Sequence, residues 1–351
     1  LDVNTNPDNP IIGTRSFGDR ADFVTDFGAE YVKGVQEAGV IPTGKHFPGH
    51  GDTSMDSHVS MPSLSHDRKH LDEVELKPFR ELVKNGMKGV MTAHIYYPAL
   101  QQGEEADTPA TLSRKILTDI LKEEWKFEGI VVSDSLTMRA IKDRYGTERA
   151  AIMAFNAGND IILQDYDSDP EITFKALLNA VKEGEIRMNE LDASVLKILK
   201  LKEWCGANRI NEIRPDILQK MNHHSDHIRL SKEVAQKSIT VLENKNLPLD
   251  PNHKTLLLAV KSDALLRTAK DMGTVIPKMS GYLYASLQRY QPGAALLAVE
   301  EAPSEDEICK VMEAAKHYDN IVFASFVRIL SYKQGSGKMP ESQIKLVNLL
   351  H

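Results

Sequence analysis

Two short runs, Val90-Met91-Thr92-Ala93 and Ile130-Val131-Val132, are almost continuously apolar, and each follows a glycine. A half-exposed strand would alternate apolar with polar residues. A continuous run suits a parallel strand buried on both faces. Gly89 and Gly129 mark helix-to-strand turns. Around these runs, residues 1–205 alternate β-rich segments (1–4, 39–46, 89–95, 129–133, 160–163) with amphipathic helical patterns (22–37, 70–85, 113–125, 147–157, 170–183, 189–203). That order predicts an α/β fold, with a parallel sheet or a barrel of the (β/α)8 TIM type. Polar residues fall at the C-terminal ends of the strands: Lys45 and His46, then His94, then Asp134. In such barrels that rim carries the catalytic groups. Five strands are counted where a closed barrel has eight, so about three are expected before Leu1.

The chain has 351 residues, which suggests two domains. The expected division is a partial barrel over 1–205, a polar linker with short helical pieces over 206–230, and a second α/β domain over 231–351. In that second domain, 238–242, 255–260 and 321–326 read as strands and 307–317 as a helix. They suit an open, doubly wound sheet, the α/β sandwich type, cut short after the apolar helix 344–350. A net charge of −7 without a basic run argues against nucleic acid or an anionic membrane surface as partner. No stretch of about eighteen apolar residues predicts a membrane span. The two cysteines, Cys205 and Cys309, fall in different expected domains, and no bridge is predicted.

The segment Lys45-His46-Phe47-Pro48-Gly49-His50-Gly51-Asp52-Thr53-Ser54-Met55-Asp56-Ser57-His58 concentrates imidazole, carboxylate and ammonium groups among helix breakers. Such a mixture fits an active-site loop that moves protons and grips a polar ligand. Asp56 and His58, two apart, point the same way only in an extended segment. A carboxylate there can fix the tautomer of the ring and favour its protonated form, as an acid/base histidine requires. The plainer alternative is a turn-capping Asp beside a solvent-facing His. Asp134, just past a buried strand, suits a nucleophile, a base or a metal ligand, or else the N-cap of the next helix. Arg15, in Gly13-Thr14-Arg15-Ser16-Phe17-Gly18, is either a ligand-holding guanidinium or an exposed surface charge. His46, His50, Asp52, Asp56 and His58 could together supply ligands to a metal. No Cys and no His-Glu-x-x-His helix supports that reading, and no metal is expected.

Several segments, in order, resemble the bacterial β-N-acetylglucosaminidases of glycoside hydrolase family 3. They are Leu1-Asp2-Val3-Asn4 with Asn9-Pro10, the Arg15 segment, the loop from Lys45 to His58, Met91-Thr92-Ala93-His94, Pro109-Ala110-Thr111-Leu112-Ser113, Ser133-Asp134-Ser135-Leu136-Thr137-Met138 and Ala157-Gly158-Asn159-Asp160. The resemblance covers most of 1–205 and continues more weakly into 231–246. It implies that Asp134 is the nucleophile of a retaining glycosidase, that His58 is the general acid/base, and that Asp56 is its partner. It further implies that Arg15, Lys45 and His46 bind sugar hydroxyls and the N-acetyl region. No metal or organic cofactor is implied, and the partner is a glycan carrying terminal N-acetylglucosamine, in peptidoglycan fragments or related oligosaccharides. Most of the family outside this branch takes its acid/base Glu from another domain, so the Asp-Ser-His loop points to the hexosaminidase branch. Two departures stand out. The Asp-Gln-Glu-Gly-Gly segment that supplies a further sugar-binding Asp is absent, and Ser135 stands where an acidic residue is common. The alternatives are a phosphorylase working by the same double displacement, and a non-catalytic sugar-binding fragment. The compartment is left open between cytoplasm, periplasm and exterior.

Overall fold

The computed structural model describes residues 1–55, 61–103, 107–164, 169–209, 215–222, 224–244, 247–260, 279–325 and 338–351. The described residues up to 209 form one compact unit, and those from 215 onward a second.

The first unit is built on three parallel strands in the order β1-β2-β3: β1 (Thr43–Phe47), β2 (Gly89–Thr92) and β3 (Ile130–Val132). Gly89 pairs with Thr43 on one side and with Ile130 on the other, which sets the register. Glycine precedes β3 for a steric reason. A Cβ on Gly129 would lie 2.4 Å from the Lys88 carbonyl oxygen. Helix α1 (Ala21–Glu37) buries Val24, Gly28 and Val32, one face at a spacing of four. Helix α2 (Arg68–Glu73) starts at Asp67, whose side chain accepts the His70 N–H. Helix α3 (Leu76–Lys84) buries Leu76, Phe79, Leu82 and Val83. The segment Lys115–Glu124 is a wide, π-type helix, and Trp125 N–H donates to the Ile120 carbonyl five residues back. Phe47 stands at the centre of the core, edge-on to Phe79 at 5.3 Å and to Trp125 at 5.6 Å between ring centroids. Each such buried ring contributes roughly 2–3 kcal/mol. Phe47 therefore anchors the end of β1, from which the rim loop departs.

Two expected strands of this unit differ in the structure. Residues 160–163 make a single parallel bridge, Ile161 to Val132, instead of a ladder. Asp160 Oδ2 takes the Val131 N–H at 2.8 Å, so a side chain occupies a rung that a neighbouring strand would use. Asp160 is also held by Ser194 Oγ at 2.8 Å and by Lys197 Nζ at 3.0 Å. Residues 1–4 form no strand for a similar reason. The Leu1 nitrogen reaches the Lys45 carbonyl, but next along, the Asp2 carboxylate accepts the His46 N–H at 3.0 Å. The remaining helices of this unit are Arg139–Tyr145, Thr147–Ala157, Pro170–Lys182 and Met188–Trp204.

The second unit holds another parallel sheet, in the order β5-β4-β6: β4 (Thr255–Val260), β5 (Ala295–Val299) and β6 (Asn320–Ala324). β4 is central and buried along its whole length, as its sequence Thr-Leu-Leu-Leu-Ala-Val requires. From central β4 the chain steps to β5 on one side and then crosses to β6 on the other, the doubly wound arrangement. Helix Glu305–Ala315 opens with a capping box between Ser304 and Glu307. The expected strand at 238–242 is absent. Ile239, Val241 and Leu242 are exposed and lie just past helix Ser225–Lys237. β5 was not anticipated from the sequence. Among the described residues no helix is long and apolar enough to cross a membrane.

Candidate active site

The C-terminal ends of β1, β2 and β3 bring Lys45 and His46, then His94, then Asp134 to one rim. Lys45, His46 and His94 all act electrostatically on Asp134. Burial of Asp134 works against ionisation. His94, His46, the Ser135 N–H at 2.8 Å and Lys45 outweigh it and hold the carboxyl below its ordinary range. Asp134 is therefore an anion at neutral pH, and it is half-buried at the rim. It caps no helix, because Arg139–Tyr145 begins at Met138 without a side-chain cap.

His46 is oriented by a residue that sequence reasoning did not single out as functional. Asp2, buried, faces His46 Nδ1 through Oδ2 at 2.8 Å. Its Oδ1 accepts the His46 N–H at 3.0 Å and the His50 N–H at 2.7 Å. Burial opposes the charge on Asp2, but the His46 imidazole and its hydrogen bond prevail, and the carboxyl is held far below the usual range. Because Asp2 is an acceptor only, His46 carries its proton on Nδ1 and presents Nε2 away from Asp2. A lone charged residue in the apolar context Leu1-Asp2-Val3 was the available signal.

His94 is fixed just as firmly. Its Nε2 donates to the Ser135 carbonyl at 2.9 Å, and its Nδ1 meets Thr111 Oγ1 at 2.8 Å. Thr111 Oγ1 is itself tied to Ala93 O at 2.9 Å and to Thr92 Oγ1 at 3.0 Å. His94 thus braces the backbone immediately after Asp134. Arg15 ends a one-turn 3-10 segment (Gly13–Arg15) and is exposed, with Nη1 donating to Ile11 O at 3.2 Å. Its guanidinium is not among the main groups that act on Asp134; the segment is tied to the site by the side chain of its neighbour, Ser16 Oγ donating to Asp2 O at 2.6 Å.

The loop after β1 is pinned to the Asn9 turn. Asn9 Nδ2 donates to His50 O at 2.8 Å and to Gly51 O at 2.9 Å. Gly51 is required by crowding, since a Cβ there would fall 1.7 Å from the Val3 carbonyl oxygen. The Lys45–His46 and Phe47–Pro48 peptide bonds are cis. Of the groups weighed as metal ligands, His46 turns to Asp2, His50 Nδ1 to Thr53 Oγ1 at 2.7 Å, and Asp52 to His66 Nε2 at 2.5 Å. Asp56 and His58 lie outside the described residues.

His50 makes the site acid-sensitive. Burial, reinforced by His46, lowers its pKa to about 4 from 6.5. A histidine kept neutral in the folded chain is protonated first in the unfolded chain as pH falls. Its contribution is complete above pH 6.5 and is lost between 6.5 and about 4, amounting to roughly 3 kcal/mol. Asp2, shifted down, loses its contribution only below its ordinary value of 3.8. Thermal melts over pH 4–6.5 should therefore show a fall for the native chain and a smaller fall for His50→Asn. Equal slopes for the two would assign the acid sensitivity to other groups.

Residues 1–201 match the family model described as the glycosyl hydrolase family 3 N terminal domain. Beta-hexosaminidase A of Pseudoalteromonas piscicida is 35% identical over 319 residues, covering 86% of this chain and 53% of that protein. Beta-hexosaminidase LpqI of Mycobacterium tuberculosis is 36% identical over 206 residues, 58% of this chain and 52% of that protein. Among solved structures, a glycoside hydrolase family 3 beta-N-acetylglucosaminidase from Paenibacillus sp. str. FPU-7 superposes with a TM-score of 0.82 at 32% identity. That alignment covers 99% of this chain and 63% of the other. A beta-glucoside phosphorylase, BglX, shares the fold at 21% identity and a TM-score of 0.79, over 95% of this chain and 60% of that one. The chain spans about half the length of the curated relatives it matches.

Proposed function

The chain belongs to glycosyl hydrolase family 3, and from that membership we propose that it carries the catalytic rim of a retaining exo-β-N-acetylglucosaminidase. The substrate in this reading is a glycan with a terminal β-linked N-acetylglucosamine, as in peptidoglycan fragments. The observation that carries the reading is Asp134, held anionic at the end of β3 and faced by Lys45, His46 and His94.

Retaining hydrolysis needs a carboxylate beneath the anomeric carbon and a proton donor near the leaving oxygen. In the first step the Asp134 carboxylate attacks that carbon. The glycosidic bond breaks, and His58, oriented by Asp56, gives its proton to the departing oxygen. In the second step neutral His58 takes a proton from water, water attacks the anomeric carbon, and the ester to Asp134 opens. A neutral base avoids the repulsion that a second carboxylate would bring to an anionic site. His46, with Nδ1 committed to Asp2, offers Nε2 to a substrate hydroxyl, and Lys45 and Arg15 supply cationic donors. No metal and no organic cofactor enters these steps.

The test is discrimination at the sugar C2 position. An aryl β-glucoside lacking the acetamido group should have kcat/KM lower by about 10² or more than the matching N-acetylglucosaminide, because donors built for the amide are left unpaired. Equal efficiency would overturn the acetamido reading in favour of a glucosidase. Product analysis with and without phosphate completes it. A sugar phosphate as the main product would replace hydrolysis by phosphorolysis.

A further inference from the structure

We propose that His66, His70 and Glu75 form a binding site for a divalent transition-metal ion of the zinc type, separate from the sugar-binding rim. One ligand atom from each of the three lies within 4.8 Å of the others. The three come from a stretch of ten residues, with the histidines four apart. His66 precedes α2, His70 lies in its first turn, and Glu75 sits at the junction of α2 and α3.

The buried carboxylate is the observation that demands a ligand. Glu75 is 1% exposed, yet neither of its carboxylate oxygens has a hydrogen-bond partner among the described residues. His70 Nε2 likewise has no hydrogen bond among the described residues; it stands 3.7 Å from Glu75 Oε1, within ion-pair reach but too far for a hydrogen bond. An orphaned buried carboxylate is costly, and such groups in native proteins usually answer to a water, an ion or a function. Donor atoms around a tetrahedral zinc, each about 2.0–2.2 Å from it, lie roughly 3.3–3.5 Å apart, so 3.7 Å needs only a small closure. Neutral imidazole and carboxylate are the donors that zinc takes in such sites. A single ion would satisfy Glu75 and His70 together.

The surroundings supply the orientation that a metal site needs. Asp52 Oδ2 binds His66 Nε2 at 2.5 Å, which leaves Nδ1 as the coordinating atom in a carboxylate–histidine–metal relay. The rings of His66 and His70 are stacked, 4.0 Å between centroids, which holds the two imidazoles side by side next to Glu75. Both histidines are partly exposed, with side chains 34% and 42% accessible, so an ion can enter from solvent while Glu75 closes the inner side. Glu75 packs beneath the rim loop: a Cβ on Gly49 would lie 2.8 Å from Glu75 Cβ. The ion would thus staple the α2–α3 junction to the loop that carries Asp52 and leads to Asp56.

The probe is Zn²⁺ alone, titrated calorimetrically into the chelator-stripped full chain, with Co²⁺ absorption reporting the coordination. We expect one tight equivalent and intensified Co²⁺ bands. His70→Ala, at a partly exposed position that the fold tolerates, should weaken binding at least ~100-fold, beyond the ~10–100-fold typical of an orienting partner. Asp52→Asn should weaken it less, and Glu75→Gln should act as His70→Ala does. His58→Ala should leave this binding unchanged, which separates the site from any ion caught by the catalytic loop. Absence of a stoichiometric equivalent would overturn the proposal. So would binding that survives His70→Ala, or binding lost in His58→Ala.

Discussion

Asp134→Asn should abolish turnover of β-N-acetylglucosaminides, by at least ~10³-fold in kcat/KM. The substitution keeps the shape of the side chain and an oxygen for the Ser135 N–H, so the fold should be unaffected. What it removes is the negative charge that His94, His46 and Lys45 stabilise against burial. A carboxamide at that point cannot form the glycosyl ester, and good and poor leaving groups should suffer alike in the first step. The measurement is steady-state kinetics of the native and substituted chains on an aryl β-N-acetylglucosaminide, with thermal melts to verify folding. Near-native activity in a folded variant would remove Asp134 from the nucleophile's role.

His58→Ala has the second largest expected effect, and its signature is selectivity. A nitrophenolate departs without protonation, so its glycosylation step should survive. A sugar leaving group needs a proton, and its rate should fall by roughly 10²–10⁴. Asp56→Ala should follow the same trend more weakly, since it removes the orienting partner and leaves the imidazole. Pre-steady-state measurement of glycosylation on the two substrate types separates the proton donor from a binding residue. An equal loss on both would make His58 a binding group and send the search for the donor elsewhere. The prediction rests on the Asp-Ser-His motif and on the chemistry of an imidazole paired with a carboxylate, because Asp56 and His58 lie outside the described residues.

The parallel α/β grammar and the rim positions were legible in the sequence because they depend on local, periodic properties. Val90-Met91-Thr92 and Ile130-Val131-Val132 declare burial on both faces, and β2 and β3 form there. The polar residues that end these runs, with Lys45 and His46, meet around Asp134 because strands in parallel register align their ends. Only the tertiary structure decided what depends on contacts distant in sequence. Residues 1–4 and 160–163 have strand-like sequences, but the carboxylates of Asp2 and Asp160 take backbone N–H groups that a ladder would use. Period-two patterning cannot register that competition, because it is settled 44 and 29 residues away. Separation in sequence also hid Asp2, 44 residues from the His46 it orients, and Thr111, 17 residues from its partner His94. It also hid what surrounds Glu75. A glutamate between two short helices reads as a solvated charge until the loop carrying Gly49 folds over it and removes the water.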